Sequence, residues 1–169
     1  AAVQLATWRG AKVIGVVRKD EPYEGHTNGP VDIINSAEID VAARVRELTN
    51  GKGADIVFNT VGDPYFQAAH KSLALAGRQI LIAAVHKIVQ FNILEFYRGR
   101  HTYVGIDTLA FSSVASGDVL REALSGFASG HLKPYPISGS AVYPLSDAKA
   151  AYSAVIGSSR DRIIFKPSA

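Results

Sequence analysis

Apolar positions fall in short blocks separated by glycine, proline and charge. Val3, Leu5, Ala6 and Trp8 suit a buried helical segment that Gly10 stops. Lys12–Val17, KVIGVV, is a β-branched run without polar alternation, the pattern of a strand buried on both faces. Asp20–Pro30, DEPYEGHTNGP, carries two Pro and two Gly and predicts irregular structure. Val31–Asn35 reads as a second strand. Asp40–Asn50 reads as an amphipathic helix, with Val41, Val45 and Leu48 at helical spacing and Arg44, Arg46 and Glu47 on the wet side. Ala54–Asn59 is a third buried strand, followed by the turn TVGDP. A helix is predicted over Tyr65–Ala76, stopped by Gly77, and a fourth strand over Arg78–Val85.

The second half continues the alternation. A short helix is expected over Phe91–Tyr97 and a fifth strand over His101–Asp107. A helix over Asp118–Gly130 would place Val119, Leu120, Ala123, Leu124 and Phe127 on one face. LKPYP then leads to a strand in SAVYPL, a helix starting at Ser146 with Ser as N-cap, and a last strand at Arg162–Phe165. Strands alternating with helices predict an α/β fold, a parallel sheet covered on both faces.

Composition narrows the class. A chain of 169 residues, 47% of them hydrophobic, suits one domain or one and a part. No apolar run approaches the roughly 20 residues of a membrane span, so no membrane association is expected. The absence of Cys excludes disulfides and thiolate zinc sites within this sequence and fits a reducing, cytoplasmic location. The absence of Met points to a fragment. The net charge of +3 comes from scattered cations, among them Arg9, Lys12, Arg18, Lys19, Arg44 and Arg46. Nucleic-acid binding would cluster them among aromatics, so a local anionic ligand is the better use of the excess. The histidines, His26, His70, His86, His101 and His131, show no metal-ligand spacing and read as surface or packing residues. There is no G-x-S-x-G elbow and no P-loop. No residue reads as catalytic.

The ordered set AAVQLA, GAKVIGVV, GADIVFNTVG, LALAGRQILIAAV, LREALSGFASGHLKP, VYPLSDAKAAYSAV and RIIFKP resembles the medium-chain dehydrogenase/reductase family. It is most similar to the quinone-oxidoreductase-like and enoyl-reductase-like branches, over nearly the whole chain. The resemblance implies a Rossmann-like, doubly wound parallel sheet. It also implies a strand and a glycine-rich turn before AAVQLA, preceded by a catalytic domain, none of which this sequence contains. The expected organisation is an NADP(H)-binding domain over 1–107 and a C-terminal tail over 108–169 that, in the family, packs on the catalytic domain. VYPLSDAKAAY leans toward the zinc-free branch, and no zinc is expected in this chain.

The resemblance also assigns candidate residues. Val17 falls where an NAD-preferring site often has Asp or Glu for the ribose hydroxyls. Val accepts no hydrogen bond, and Arg18 and Lys19 follow, suited to a 2′-phosphate. NADP(H) is therefore expected. An exposed strand exit, or NAD(H) held through Asp20, stays open. Asn59, Thr60, Val61 and Gly62 form the turn that lines the cofactor in the family, against the alternative of a plain tight turn. Ala83, Ala84 and Val85 leave the next strand, and Ala83 and Ala84 are small enough for a nicotinamide ribose to pass. Ile106 and Asp107 are the equivalent exit of the fifth strand. The segment Asp20–Pro30 departs from the family, which has a helix there, so the adenosine pocket is expected to be unusual. The implied activity is hydride transfer between NADP(H) and a small carbonyl, enone, quinone or alcohol, with this chain supplying cofactor binding and silent alone. A regulatory NADP(H)-sensing module and a methyltransferase are the alternatives. The tail argues against the first and Val17 against the second. The remaining expected partner is a second copy, joined through the edge strand 101–107 as a homodimer.

Overall fold

Parallel pairing sets the architecture. The structure is a computed structural model that describes residues 1–19, 23–157, 159 and 161–167. Asp20, through which NAD(H) could be held, lies outside the described residues, as do Glu21 and Pro22. Residues 1–132 form one unit and residues 133–169 a second.

In the first unit, β1 (Val13–Val17) and β2 (Val31–Asn35) pair in parallel, with Val17 opposite Asn35. A second parallel sheet runs β3 (Ala54–Asn59), β4 (Leu73–Leu81), β5 (Thr102–Gly105). Its register sets Asn59 beside Leu81 and Leu81 beside Gly105, so three strands end together. Helices α1 (Ala2–Trp8), α2 (Val41–Leu48), α3 (Phe66–Ser72), α4 (Ile93–Arg98) and α5 (Ser113–Ala128) complete the unit. This is the Rossmann-like parallel α/β arrangement expected. The described strands of this unit form two separate parallel sheets, β1–β2 and β3–β4–β5. β5 pairs with β4 alone among the described strands and so lies at an edge.

Several elements have a visible local cause. Asp40 caps α2 by accepting from the Ala43 N–H at 2.8 Å, Asn92 caps α4, and Ser112 caps α5 through the Ala115 N–H at 3.2 Å. The cap at Ser112 starts α5 five residues before the expected Asp118. The core of the unit is Ile34, Val45, Phe66, Ala69, Leu73 and Ala74, all buried. Phe66 lies against Phe91 and Tyr103 edge-on, with ring centroids 6.2 and 5.3 Å away. Gln79, in the central strand of its sheet, is fully buried, and neither amide atom has a hydrogen-bond partner among the described residues.

The structure corrects further local expectations. On α1 the buried residues are Gln4 and Thr7, not the apolar set, and Leu5 is exposed. The irregular segment lies along that side, its Asn28 N–H donating to Thr7 Oγ1 at 3.1 Å and its Asn28 amide to the Gln4 carbonyl at 3.4 Å. Val16, Ile56 and Phe58 are exposed, so β1 and β3 are not covered on both faces. α3 ends at Ser72, not Ala76, because Leu73 turns to extended backbone and pairs with Ala54. The register then jumps to Ile56 opposite Arg78, and Ala76 takes a positive φ of 60° to make the crossing. β4 stops at Leu81 rather than Val85, where its last partners Asn59 and Gly105 end the pairing on both sides.

In the second unit β6 (Val142–Pro144) and β7 (Ile164–Lys166) pair in parallel with each other. α6 (Ala148–Ile156) joins them, with Ala151 buried and Tyr152 near Phe165 at 6.3 Å between rings. Ser146 does not cap α6; its hydroxyl donates to the Asp147 carboxylate at 3.2 Å, and the helix starts without a side-chain cap. No helix among the described residues is long and apolar enough to cross a membrane.

Candidate functional site

In open parallel sheets, ligands bind beyond the carboxyl ends of the strands. Here those ends converge. The Ser36 N–H and hydroxyl, just after β2, both reach the Val17 carbonyl at the end of β1, at 2.8 and 3.0 Å. The same hydroxyl lies 3.2 Å from the Tyr65 hydroxyl, in the 3-10 turn Asp63–Tyr65 that follows β3. The exits of β1, β2 and β3 thus share one edge. The register of β3, β4 and β5 adds the other two exits to it.

The turn after β3 is built by Asn59, which is buried. Its carbonyl oxygen accepts from the Val61 and Gly62 N–H groups at 3.1 and 2.8 Å, and its amide donates to the Gly62 carbonyl at 2.8 Å. One side chain therefore closes the loop on itself. Gly62 takes φ +95° and is packed against the β4 exit, where an added Cβ would lie 2.7 Å from the Ala84 Cα. Only glycine allows both that backbone and that approach.

Asp63 completes the link. One carboxylate oxygen accepts from the Val85 and His86 N–H groups, each at 2.7 Å. The other lies 2.7 Å from Nδ1 of the His86 ring. These bonds, the backbone N–H of His86 foremost, hold the Asp63 carboxyl at about 2, below its ordinary 3.8. It is a carboxylate at any physiological pH.

The residues expected from sequence are placed as follows. Thr60 and Val61 are exposed on the turn and Gly62 is buried beneath it. Ala83, Ala84 and Val85 are exposed and lie against that turn through Gly62 and Asp63. Ile106 is half-buried and its N–H donates to the Leu81 carbonyl at 3.0 Å, which sets it beside the β4 exit. Asp107 is exposed, and its carboxylate accepts from the Leu109 N–H at 3.0 Å. Arg18 and Lys19 are exposed just past β1, with no ion-pair partner among the described residues. Their connection to the rest of the edge runs through Val17, Ser36 and Tyr65. Sequence reasoning placed His86 after the Ala83–Val85 exit, near the cofactor but without a catalytic role, and missed Asp63, Ser36 and Tyr65 as parts of this edge. The only signal at Asp63 was an Asp-Pro helix start, which says nothing of a partner 22 residues on.

The arrangement fits a dinucleotide. Two exposed cations, without ion-pair partners among the described residues, stand at one exit, and a ledge of small residues and close-packed backbone stands at the others. A separate cavity of about 610 Å³, lined among others by Arg46, Lys52, His70, Glu95 and His101, lies at the opposite, amino ends of the strands. There, burial and then the neighbouring His70 push His101 below its ordinary 6.5.

Residues 1–125 match the family model described as zinc-binding dehydrogenase. The highly reducing polyketide synthase phiA of a fungal species (strain ATCC 74256) is 28% identical over 161 residues, 90% of this chain but 6% of that protein. The solved quinone oxidoreductase of Pseudomonas syringae is 28% identical with a TM-score of 0.74, over 99% of this chain and 52% of that one. The Escherichia coli quinone oxidoreductase, solved with NADPH, shares the fold at 22% identity and a TM-score of 0.73, over 95% of this chain and 50% of that one. The chain therefore spans about half of these solved structures and a small part of the synthase. The metal in the family's description finds no ligand set here: no group of three His, Cys, Asp or Glu among the described residues could hold one.

Proposed function

The chain belongs to the zinc-binding dehydrogenase family of oxidoreductases, and from that premise we propose that it is the NADP(H)-binding part of an enzyme moving a hydride to or from a small substrate. The substrate class is a carbonyl, enone or enoyl thioester, quinone or alcohol. Likeness to a highly reducing polyketide synthase and to quinone oxidoreductases keeps both the enoyl thioester and the quinone in that set.

The observation that carries the reading is the pair Arg18 and Lys19, exposed and without ion-pair partners among the described residues, at the same edge as the Asn59–Gly62 turn. Their cations meet the 2′-phosphate, the guanidinium with two parallel N–H donors. Asn59 holds the turn open to backbone approach, and Gly62 keeps it against the β4 exit. Ala83 and Ala84 leave room for a ribose, and Asp63 fixes the backbone that follows them. The bound nicotinamide supplies the hydride chemistry. In this reading the chain alone binds the cofactor and turns nothing over. The active form is a homodimer paired through β5, whose outer edge has no partner strand among the described residues.

The test is calorimetric titration of NADPH and NADH into the full-length protein and into Arg18→Ala. A charge-assisted hydrogen bond is worth about 1.5–3 kcal/mol, so the substitution should weaken NADPH roughly 10- to 100-fold and leave NADH unchanged. Equal affinities for the two cofactors in the unsubstituted protein would overturn the NADP(H) assignment. Sedimentation that finds only monomer at every concentration would overturn the dimer.

A further inference from the structure

His86 extends from the candidate site in a way that packing does not require. It follows the small β4 exit Ala83–Val85, and its side chain is 78% exposed while that of its partner Asp63 is 11% exposed. Asp63 grips the residue at two points, the backbone N–H and ring Nδ1, each at 2.7 Å. A carboxylate can only accept hydrogen bonds, so Nδ1 carries the hydrogen, and Nε2 is the ring nitrogen with no hydrogen-bond partner among the described residues. Free imidazole in water favours the opposite tautomer. The fold has therefore fixed both the orientation and the protonation pattern of an exposed ring at the edge where the substrate is proposed to react.

We propose that His86 is the proton-transfer residue of the reaction, with Asp63 as its positioning residue; this rests on the reading above that the strand exits bind the nicotinamide. When hydride adds to an electron-poor carbon of an enone or carbonyl, a C–H bond forms there. The π electron pair moves to the oxygen or the adjacent carbon. The Nε2–H bond of the His86 imidazolium breaks, its electron pair stays on nitrogen, and its proton goes to that atom as a new O–H or C–H bond. The substrate is reduced by two electrons and the dihydronicotinamide is oxidised by two. The ring is left neutral with Nδ1–H still on Asp63, and solvent returns the proton to the exposed Nε2. In the oxidative direction Nε2 takes the proton instead. The charged groups beside the ring are Asp63, on the turn after β3, and the adjacent Lys87.

The experiment uses the full-length protein, His86→Gln and Asp63→Asn, with crotonyl-N-acetylcysteamine thioester and 1,4-benzoquinone as substrates. Nitrogen-15 NMR of the resting protein reads the tautomer without cofactor. The expected neutral ring is Nδ1–H in the wild type and shifts toward Nε2–H in Asp63→Asn. A wild-type Nε2–H ring overturns the proposal. His86→Gln should lower kcat by roughly 10²- to 10⁴-fold and keep NADPH affinity within threefold. A kcat within threefold of wild type, or a loss of NADPH affinity matching the loss of rate, overturns it. Failure of the cofactor reading is distinguishable, because then the wild type itself binds neither NADPH nor NADH.

Discussion

Replacing Gly62 with alanine should be among the most damaging single-methyl changes available to this protein. Its backbone, φ +95° and ψ −133°, lies in a region that side chains rarely adopt, a cost of roughly 1–3 kcal/mol. The new Cβ would also lie 2.7 Å from the Ala84 Cα and 2.9 Å from the Ala83 carbonyl carbon. Both are backbone atoms and cannot rotate aside, so overpacking adds a further ~1–3 kcal/mol. The total expected is about 2–6 kcal/mol. Two glycines separate the contributions. Gly10→Ala, at φ +78° with nothing within 4 Å, should cost only the conformational part, about 1 kcal/mol. Gly105→Ala, with nothing within 4 Å and no positive φ, should stay within about 0.5 kcal/mol of wild type. Urea unfolding followed by far-UV circular dichroism measures all three. A Gly62→Ala protein no less stable than Gly10→Ala would refute the close packing of the turn on the β4 exit. The same variant should lose NADPH affinity, since relief of the clash has to move the Ala83–Val85 ledge.

Asn59→Ala removes a buried amide and the three bonds that close the turn, and should cost about 2 kcal/mol in urea unfolding; an effect below ~0.5 kcal/mol would show that the turn closes without it. Gln79→Met exchanges a fully buried amide, unpartnered among the described residues, for an apolar chain of similar volume and should raise stability by about 1 kcal/mol, whereas a clear loss would mean that the amide is satisfied. Asp63, with its pKa lowered from 3.8 to about 2, binds a proton less readily folded than unfolded. Its stabilisation is therefore complete above about pH 4 and is lost as pH falls toward 2; acid titration of Asp63→Asn should lack that component, and an unchanged acid profile would contradict the bonds to Val85 and His86. His101 is held neutral by burial and His70, so between its lowered pKa and 6.5 the unfolded chain binds more protons and stability rises with pH. His101→Gln should flatten that rise, and proton NMR should find His101 titrating below 6.5.

Two kinds of information separate along this chain. β2 and β3 are legible in sequence to the residue, because a short apolar run between turn residues has one economical use in an α/β fold. The start of α2 falls one residue after the expected Asp40, because Asp40 itself caps the helix through a local hydrogen bond. The alternation of strands and helices determined the parallel class, and from it the positions of the strand exits. The border between α3 and β4 was not legible. LALAG favours helix by composition, yet pairing of Leu73 with Ala54, 19 residues earlier, draws it into the sheet. Burial on α1 was likewise settled from outside the helix, by Asn28 covering Gln4 and Thr7. At the candidate site the sequence by itself named the exits Arg18, Asn59–Gly62, Ala83–Val85 and Ile106–Asp107 as positions. Only the tertiary structure joined Asp63 to His86, and Ser36 to Tyr65, because side chains 23 and 29 residues apart meet only once the strands are in register. Local physics set the elements. The register of the parallel strands decided which of their ends, and which titratable groups, face one another.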